Sequence, residues 1–206
     1  MRAALLLWAA AACAQQHTHG VEVVMRALQP EPGWRIADIG AGHGDFTFPI
    51  AKIVGSTGRV YAVDIDEKNA IRALRERVER DRAENVEVIL SKPDDPMLPD
   101  GTLDAVLIVN AYHEIGPYEA MLGHVRAALK PGGRLLIVDN MPGRTRGQPR
   151  EIQIKIHMIA PEVVEAELRK AGFDVDSRRD DIDDNPGMDH TRWAIAAHRG
   201  DAPANR

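Results

Sequence analysis

Three glycines at alternate positions form the local pattern in this 206-residue chain that points most directly to chemistry. Gly40, Gly42 and Gly44, here called the glycine loop, lie within the stretch DIGAGHGD, between a predicted strand and a predicted helix. Because glycine has no Cβ, the backbone can turn tightly and approach a ligand closely. The pattern therefore predicts a loop over which a flat or extended ligand lies.

Acidic residues beside the glycine loop indicate which ligand it favours. Dinucleotide-binding loops usually read G-x-G-x-x-G and bind a pyrophosphate at a helix N-terminus. Here the spacing is G-x-G-x-G, Asp38 precedes the first glycine, and Asp45 opens the predicted helix. A carboxylate there competes with a pyrophosphate for the positive end of the helix dipole. The pattern therefore favours a cationic cofactor, such as one with ammonium and sulfonium groups.

A second carboxylate, Asp64, ends the predicted strand RVYAVD that follows the glycine loop. A carboxylate at this position can accept hydrogen bonds from both hydroxyls of an adenosine ribose, each worth about 1.5–3 kcal/mol because the acceptor is charged. The alternative is that Asp64 only caps the helix predicted to begin at Glu67. We expect ribose binding, because Asp64 is coupled to the loop.

Alternating strand and helix patterns must position these residues, and they predict a single α/β domain. The predicted strands are residues 34–39, 59–64, 86–90, 103–109, 134–138, 173–177 and 193–198. The predicted helices are residues 21–28, 46–54, 67–82, 118–129 and 161–171. Such alternation is typical of a doubly wound parallel sheet with helices on both faces.

Four motifs occur in the order and spacing of one protein superfamily. They read DIGAGHGDFT, VYAVDID, LDAVLIVNAYHEI and ALKPGGRLLIVD. Over residues 20–198 the chain resembles the class I S-adenosylmethionine-dependent methyltransferases. The resemblance implies a Rossmann-like, mostly parallel sheet of seven strands, in the order 3-2-1-4-5-7-6 with the last strand antiparallel.

The resemblance also implies which residues bind the cofactor S-adenosylmethionine. Asp38 and the glycine loop would face its methionine part, Asp64 would hold the ribose, and Ile65 would pack on the adenine. The adenine amino group is usually met after the third strand, and here we assign Asp94 or Asp95. The chain departs from the commonest pattern at this point, because Lys-Pro stands where Asp-Ala is frequent.

The segment NAYHE, residues 110–114, follows the fourth predicted strand, where a methyl acceptor should lie. Asn110 is expected to contact the methionine carboxylate or amine of the cofactor. His113 and Glu114 are the candidate catalytic residues, which would deprotonate or orient the acceptor. The alternative is that they only pack or cap, since in-line positioning of the acceptor can itself supply much of the barrier reduction.

The N-terminus has the pattern of a secretory signal. Residues 1–16 contain one arginine, an uncharged run and Ala12-Cys13-Ala14 as a candidate cleavage site. This predicts export to the cell envelope or periplasm, with residues 17–206 as one methyltransferase domain; otherwise the protein would be cytoplasmic. A lipid anchor at Cys13 and a buried N-terminal helix are the alternatives, and the run is too short to span a bilayer.

Charge and residue counts argue against several other functions. A net charge of −5 provides no basic field for a nucleic-acid backbone. Cys13, the only cysteine, cannot build a cysteine zinc site. Three histidines, His17, His19 and His157, can be imagined beside His113, but no pair has ligand spacing on one element, so we predict no metal site.

Two charged stretches in the second half are expected to be solvated. Arg144, Arg146, Arg150 and Lys155 follow the fifth predicted strand, with an acceptor lid for an anionic substrate as the alternative interpretation. The acidic stretch at residues 174–189 is predicted to be an exposed turn region.

The sequence thus predicts an enzyme that transfers a methyl group from S-adenosylmethionine to a small-molecule acceptor. The alternative is a cofactor-binding or sensing module of the same fold without turnover. A nicotinamide-dependent oxidoreductase would need a G-x-G-x-x-G loop and a further substrate domain, and the chain has neither. We expect no nucleic acid partner and no membrane span.

Overall fold

Seven strands form one twisted sheet in a computed structural model that describes residues 20–182 and 191–201. The strands are β1 (Arg35–Ile39), β2 (Arg59–Asp64), β3 (Val86–Leu90), β4 (Leu103–Val109), β5 (Leu129–Asn140), β6 (Phe173–Arg179) and β7 (Arg192–Arg199). Their order is β3-β2-β1-β4-β5-β7-β6. The first five pair in parallel, whereas β7 is antiparallel to both β5 and β6. The expected doubly wound fold and strand order are confirmed.

Helices cover both faces of this sheet. They are α1 (residues 20–28), α2 (Thr47–Val54), α3 (Arg72–Asp81), α4 (Tyr118–Ala128), α5 (Arg150–Gln153) and α6 (Pro161–Lys170). Within residues 20–182 and 191–201, no helix combines the length and apolar composition that crossing a bilayer requires.

The core lies in two apolar layers, one on each side of the sheet, because successive strand residues point to opposite faces. In β4, Val106 and Ile108 pack into one layer, while Ala105 and Leu107 pack into the other. All four are fully buried, which explains why β4 is a nearly continuous apolar run. The sheet therefore holds its carboxyl ends in a fixed arrangement.

Most predicted element boundaries agree with the structure, but the start of β5 was predicted wrongly. The Pro-Gly-Gly turn was expected to separate a helix ending at residue 129 from a strand beginning at 134. Instead Leu129 already pairs with Leu103, and β5 continues past an irregularity in its register. The chain pairs with β4 as soon as α4 ends, so the Pro-Gly-Gly residues lie inside β5.

Two smaller differences concern helices. The helix predicted from residue 67 begins as a π-helical turn, Glu67–Ile71, whose first amides are capped by the Asp66 side chain. Helix α5 was not predicted, because four residues carry too little periodicity. The predicted export signal, His17, His19 and residues 183–189 of the acidic stretch lie outside the described residues.

Replacing Leu107 by alanine should lower the free energy of unfolding by about 2–5 kcal/mol, because Leu107 is fully buried and the truncation leaves a cavity in the apolar layer on its face of the sheet. Urea denaturation followed by circular dichroism measures the change. Ile53→Ala on the exposed side of α2 is the matched control and should alter stability by no more than about 0.5 kcal/mol. Equal losses in the two variants would contradict the assigned core.

Candidate active site

The glycine loop is held by hydrogen bonds from its own amides. Gly40 and Ala41 donate to the carbonyl oxygen of Val63 at 2.8 and 3.0 Å, and Gly42 donates to Asp64 Oδ2 at 2.9 Å. Gly44 donates to the carbonyl oxygen of Ala41 at 2.8 Å. A pyrophosphate site needs such amides to be available as donors. Their use within the protein agrees with the expectation of a ligand other than pyrophosphate.

A side chain is disfavoured at each of the three glycines for a different structural reason. A Cβ on Gly40 would lie 2.4 Å from the Cβ of Ala111, and one on Gly44 would lie 2.5 Å from the Phe48 ring. A Cβ on Gly42 would meet nothing within 4 Å. All three have positive φ, where residues with side chains are disfavoured. Gly40 and Gly44 thus allow close packing, and Gly42 faces open space where a ligand can approach.

Asp38 ends up buried at the base of this loop, and its Oδ2 accepts a hydrogen bond of 2.6 Å from the Thr47 hydroxyl. Burial raises the pKa of Asp38 to about 6, although the hydrogen bonds from Thr47 work in the opposite direction. The carboxylate is therefore costly to ionise unless a cation lies beside it.

Asp64 bridges the glycine loop and the segment after β2. Its Oδ2 accepts from Gly42 and its Oδ1 accepts from the Asp66 amide, both at 2.9 Å. An ionised carboxylate has about four acceptor positions, so both oxygens can still accept from a ligand. Asp64 does not cap the first turn of the next helix; Asp66 does, by accepting from the Asn69 amide.

The remaining residues expected on the adenine side, Ile65 after β2 and Asp94 or Asp95 after β3, differ in their surroundings. Ile65 is exposed. Asp94 is also exposed, whereas Asp95 is half-buried and accepts from the Met97 amide at 2.8 Å. The adenine contact of Asp94 or Asp95 stays a prediction.

Asn110 and His113 follow β4, which is the neighbour of β1 on the side away from β2. Asn110 has a φ of 51°, and its side-chain oxygen accepts a hydrogen bond from Asn140. His113 is buried, and its Nδ1 lies 2.8 Å from Oδ1 of Asp139, which also accepts from the His113 amide through Oδ2 at 3.2 Å. A carboxylate partner at Nδ1 fixes the orientation of the ring.

Two opposing effects set the protonation of His113. Burial lowers its pKa, but the hydrogen bond and charge of Asp139 and the charge of Glu114 together outweigh it, so the net pKa is raised. Asp139 was not predicted as a site residue. The available signal was its position as an acid near the carboxyl end of the strand beside β4.

A buried polar network supports the segment that contains His113. The Tyr112 hydroxyl donates to Glu167 Oε2 at 2.7 Å, and Glu167 Oε1 lies 3.0 Å from Nε of Arg150. Arg150 also donates to the carbonyl oxygen of Ile115 at 2.9 Å. The expectation that Arg150 is a solvated charge is therefore wrong, since its side chain is only 10% exposed.

His157 reaches the same place from the chain after β5. It ends a short 3₁₀ turn with a φ of 56°, and its Nδ1 lies 2.5 Å from Glu114 Oε1. The His113 and His157 rings meet edge to face, with centroids 5.9 Å apart. The same stretch of chain is tied down by ion pairs from Arg146 to Glu162 and Asp180. The structure thus brings together two histidines that lie far apart in sequence.

Similarity to known proteins extends over both the sequence and the fold. The model of a family described as "Methyltransferase domain" matches residues 36–133. A solved S-adenosylmethionine-dependent methyltransferase from Aquifex aeolicus is 26% identical, superposes with a TM-score of 0.73, and is matched over 87% of this chain and 89% of that one.

Curated relatives match over a shorter region. The ubiquinone/menaquinone biosynthesis C-methyltransferase UbiE of Ectopseudomonas mendocina is 35% identical over 54% of this chain and 44% of its own length. The demethylmenaquinone methyltransferase of Listeria welshimeri is 28% identical over 62% and 55%, respectively. The chain spans about half the length of the curated relatives it matches.

The buried Asp38 generates a prediction about pH. Because its pKa in the folded protein lies above the ordinary value of 3.8, its stabilising contribution is present below pH 3.8 and is lost as the pH rises through about 6. Asp38→Asn removes this loss. When the pH is raised from about 4.5 to 7.5, the unfolding free energy of the variant minus that of the wild type should therefore increase by roughly 2 kcal/mol.

Urea denaturation of both proteins at the two pH values gives the difference directly. Asn at this position retains an oxygen that accepts from Thr47, so the comparison isolates the charge. A stability difference that is independent of pH would contradict the raised pKa.

Proposed function

Because this chain belongs to the class I S-adenosylmethionine-dependent methyltransferases, we propose that it transfers the methyl group of S-adenosylmethionine to a small-molecule acceptor. The observation that carries the proposal is that the glycine loop pairs with Asp64 at the carboxyl ends of β1 and β2, and that His113 pairs with Asp139 at the carboxyl ends of β4 and β5.

The residues around the glycine loop suit this cofactor, which supplies a methyl group activated by a sulfonium. Open space above Gly42 leaves room for a ligand next to the backbone. Asp64 has acceptor positions left for two ribose hydroxyls, and Ile65 offers an exposed apolar surface for the adenine. Asp38 offers a buried carboxylate for an ammonium group, which would favour its ionised form.

We assign the acceptor to the side formed by residues 110–114. Asn110 directly follows β4 and precedes Ala111, which contacts Gly40 of the glycine loop. His113 is held rigidly by Asp139, and Glu114 is exposed beside it. Rigid placement of an acceptor in line with the methyl group can supply about 7–11 kcal/mol of the barrier reduction. His113 and Glu114 then bind or orient the acceptor.

Relatives suggest which acceptors to test first. UbiE is named as a C-methyltransferase of ubiquinone and menaquinone biosynthesis, and the Listeria relative as a demethylmenaquinone methyltransferase. We therefore place demethylmenaquinone and simpler quinols at the head of an acceptor panel that also includes nitrogen and sulfur acceptors.

Formation of S-adenosylhomocysteine, measured by mass spectrometry with this panel, tests the proposed activity. An acceptor-dependent product that gains the mass of one methyl group supports it. Cofactor binding without product from any acceptor would favour the module that binds the cofactor without turnover. No cofactor binding at all would contradict both interpretations.

Asp64→Ala should weaken S-adenosylmethionine binding at least tenfold, because it removes charge-assisted hydrogen bonds worth about 1.5–3 kcal/mol. Isothermal titration calorimetry measures the dissociation constant. Asp81→Ala, an exposed carboxylate at the end of α3, is the control and should leave it unchanged. Unchanged affinity in Asp64→Ala would refute the assignment of the ribose site.

His113→Ala should lower turnover at least about tenfold while leaving the dissociation constant of S-adenosylmethionine within twofold, since His113 is assigned to the acceptor. His198→Ala, on β7 opposite Arg134 and thus at the far end of β5 from Asp139, should retain full turnover. If turnover in His113→Ala equals that of the wild type, His113 does not contribute to turnover and other residues orient the acceptor.

A further inference from the structure

Two imidazoles and one carboxylate converge at the carboxyl end of β4, and sequence reasoning did not predict them as a unit. We propose that His113, Glu114 and His157 bind one divalent transition-metal ion, for which zinc is the best match. The inference concerns metal binding itself and stands independently of methyl transfer.

Distances within the cluster suit such an ion. The ligand atoms of the three residues all lie within 4.8 Å of one another. His113 Nε2 is 3.3 Å from Glu114 Oε1, and ligands at about 2.0–2.2 Å from a tetrahedral zinc ion are separated by about 3.3 Å. The distance of 2.5 Å between His157 and Glu114 must open, which is easy because these side chains are 74% and 59% exposed.

The donor set is also that of known open metal sites. Two histidines and one carboxylate are the protein ligands of a class of catalytic zinc sites and of non-haem iron sites. Both rings direct a nitrogen at the same oxygen, Glu114 Oε1. An ion placed between these atoms would bind all three groups at once.

Asp139 provides an independent reason for this assignment. It is fully buried and accepts from Nδ1 of His113, so the ring proton is held at Nδ1 and the lone pair is left at Nε2. Histidines that bind metals almost always donate their other ring N–H to a carboxylate or carbonyl in this way. The atom that faces Glu114 and His157 is therefore the one prepared to act as a ligand.

If the proposed function holds, the position of the ion suits it to bind the methyl acceptor. Three protein ligands leave at least one coordination position open. The cluster is two residues from Ala111, which contacts Gly40 of the glycine loop. Resting on the proposed function, an oxygen or sulfur atom of the acceptor would occupy the open position, where the ion holds it on the acceptor side.

Metal binding of the untagged full-length chain tests the proposal. After treatment with a chelator and its removal, zinc is titrated in competition with a metallochromic indicator, and cobalt(II) is added in parallel as an absorption probe. We expect one ion per chain and the d–d bands of a four- or five-coordinate cobalt site. His157→Ala should weaken zinc binding by more than about 100-fold, since losing even an outer partner costs about 10–100-fold.

His198→Ala is the matched control. His198 also lies between two carboxylates, Asp176 at 2.7 Å from Nδ1 and Asp174 at 3.7 Å from Nε2, but through opposite ring nitrogens, which cannot both face one ion. This variant should bind zinc like the wild type. Asp139→Asn should weaken binding by about 10–100-fold through loss of ring orientation.

Several outcomes would overturn the proposal. If the wild type binds neither zinc nor cobalt, the cluster is only a hydrogen-bonded histidine pair. If the wild type and His157→Ala bind zinc equally, the ion is held elsewhere. His157 is exposed and outside the core, so its variant should fold even if His113→Ala does not, and circular dichroism checks this. Cofactor binding measured on the same samples separates failure of this site from failure of the proposed function.

Discussion

The close contact between the loops after β1 and β4 is the constraint on which the rest of the site depends. These strands are neighbours in the sheet, yet their chains leave toward opposite faces, which opens a crevice at their carboxyl ends. At Gly40 there is no room for a Cβ, because Ala111 already occupies the space. The glycine loop with Asp64 is our proposed cofactor side, and residues 110–114 are our proposed acceptor side. The two are therefore fixed relative to each other by the two smallest side chains of the region.

The two sides are stabilised by different physical means. On the cofactor side, main-chain amides donate to Val63 and Asp64, so the loop has its shape before any ligand binds. On the acceptor side, buried charged groups do the same work, since Glu167 and Arg150 support Tyr112, and Asp139 orients His113. Burying these carboxylates is tolerable only because each accepts hydrogen bonds.

Sequence reasoning predicted the fold correctly because the fold depends on local patterns, and its assignment of the cofactor residues rests on patterns of the same kind. Alternating apolar runs revealed the strands, and Asp64 is separated from the glycine loop by one helix and one strand. The acceptor side depends instead on contacts across 26, 43 and 55 residues, between His113 and Asp139, His157 and Glu114, and Tyr112 and Glu167. No periodicity encodes which side chains of distant segments meet, so these partners became visible only in the structure.

The ion pairs of Arg146 with Glu162 and Asp180 make one attachment of the acceptor side sensitive to salt. These pairs fasten the chain that leads to His157, and all three side chains are more than 40% exposed. Dissolved ions screen exposed charges over a Debye length of about 8 Å at physiological ionic strength. The ion pairs near His157 therefore weaken in brine, whereas the buried contacts of Arg150 with Glu167 and Ile115, which hold the same stretch, are little affected. Dissolved salt thus loosens the outer attachment of this stretch and leaves its inner one in place.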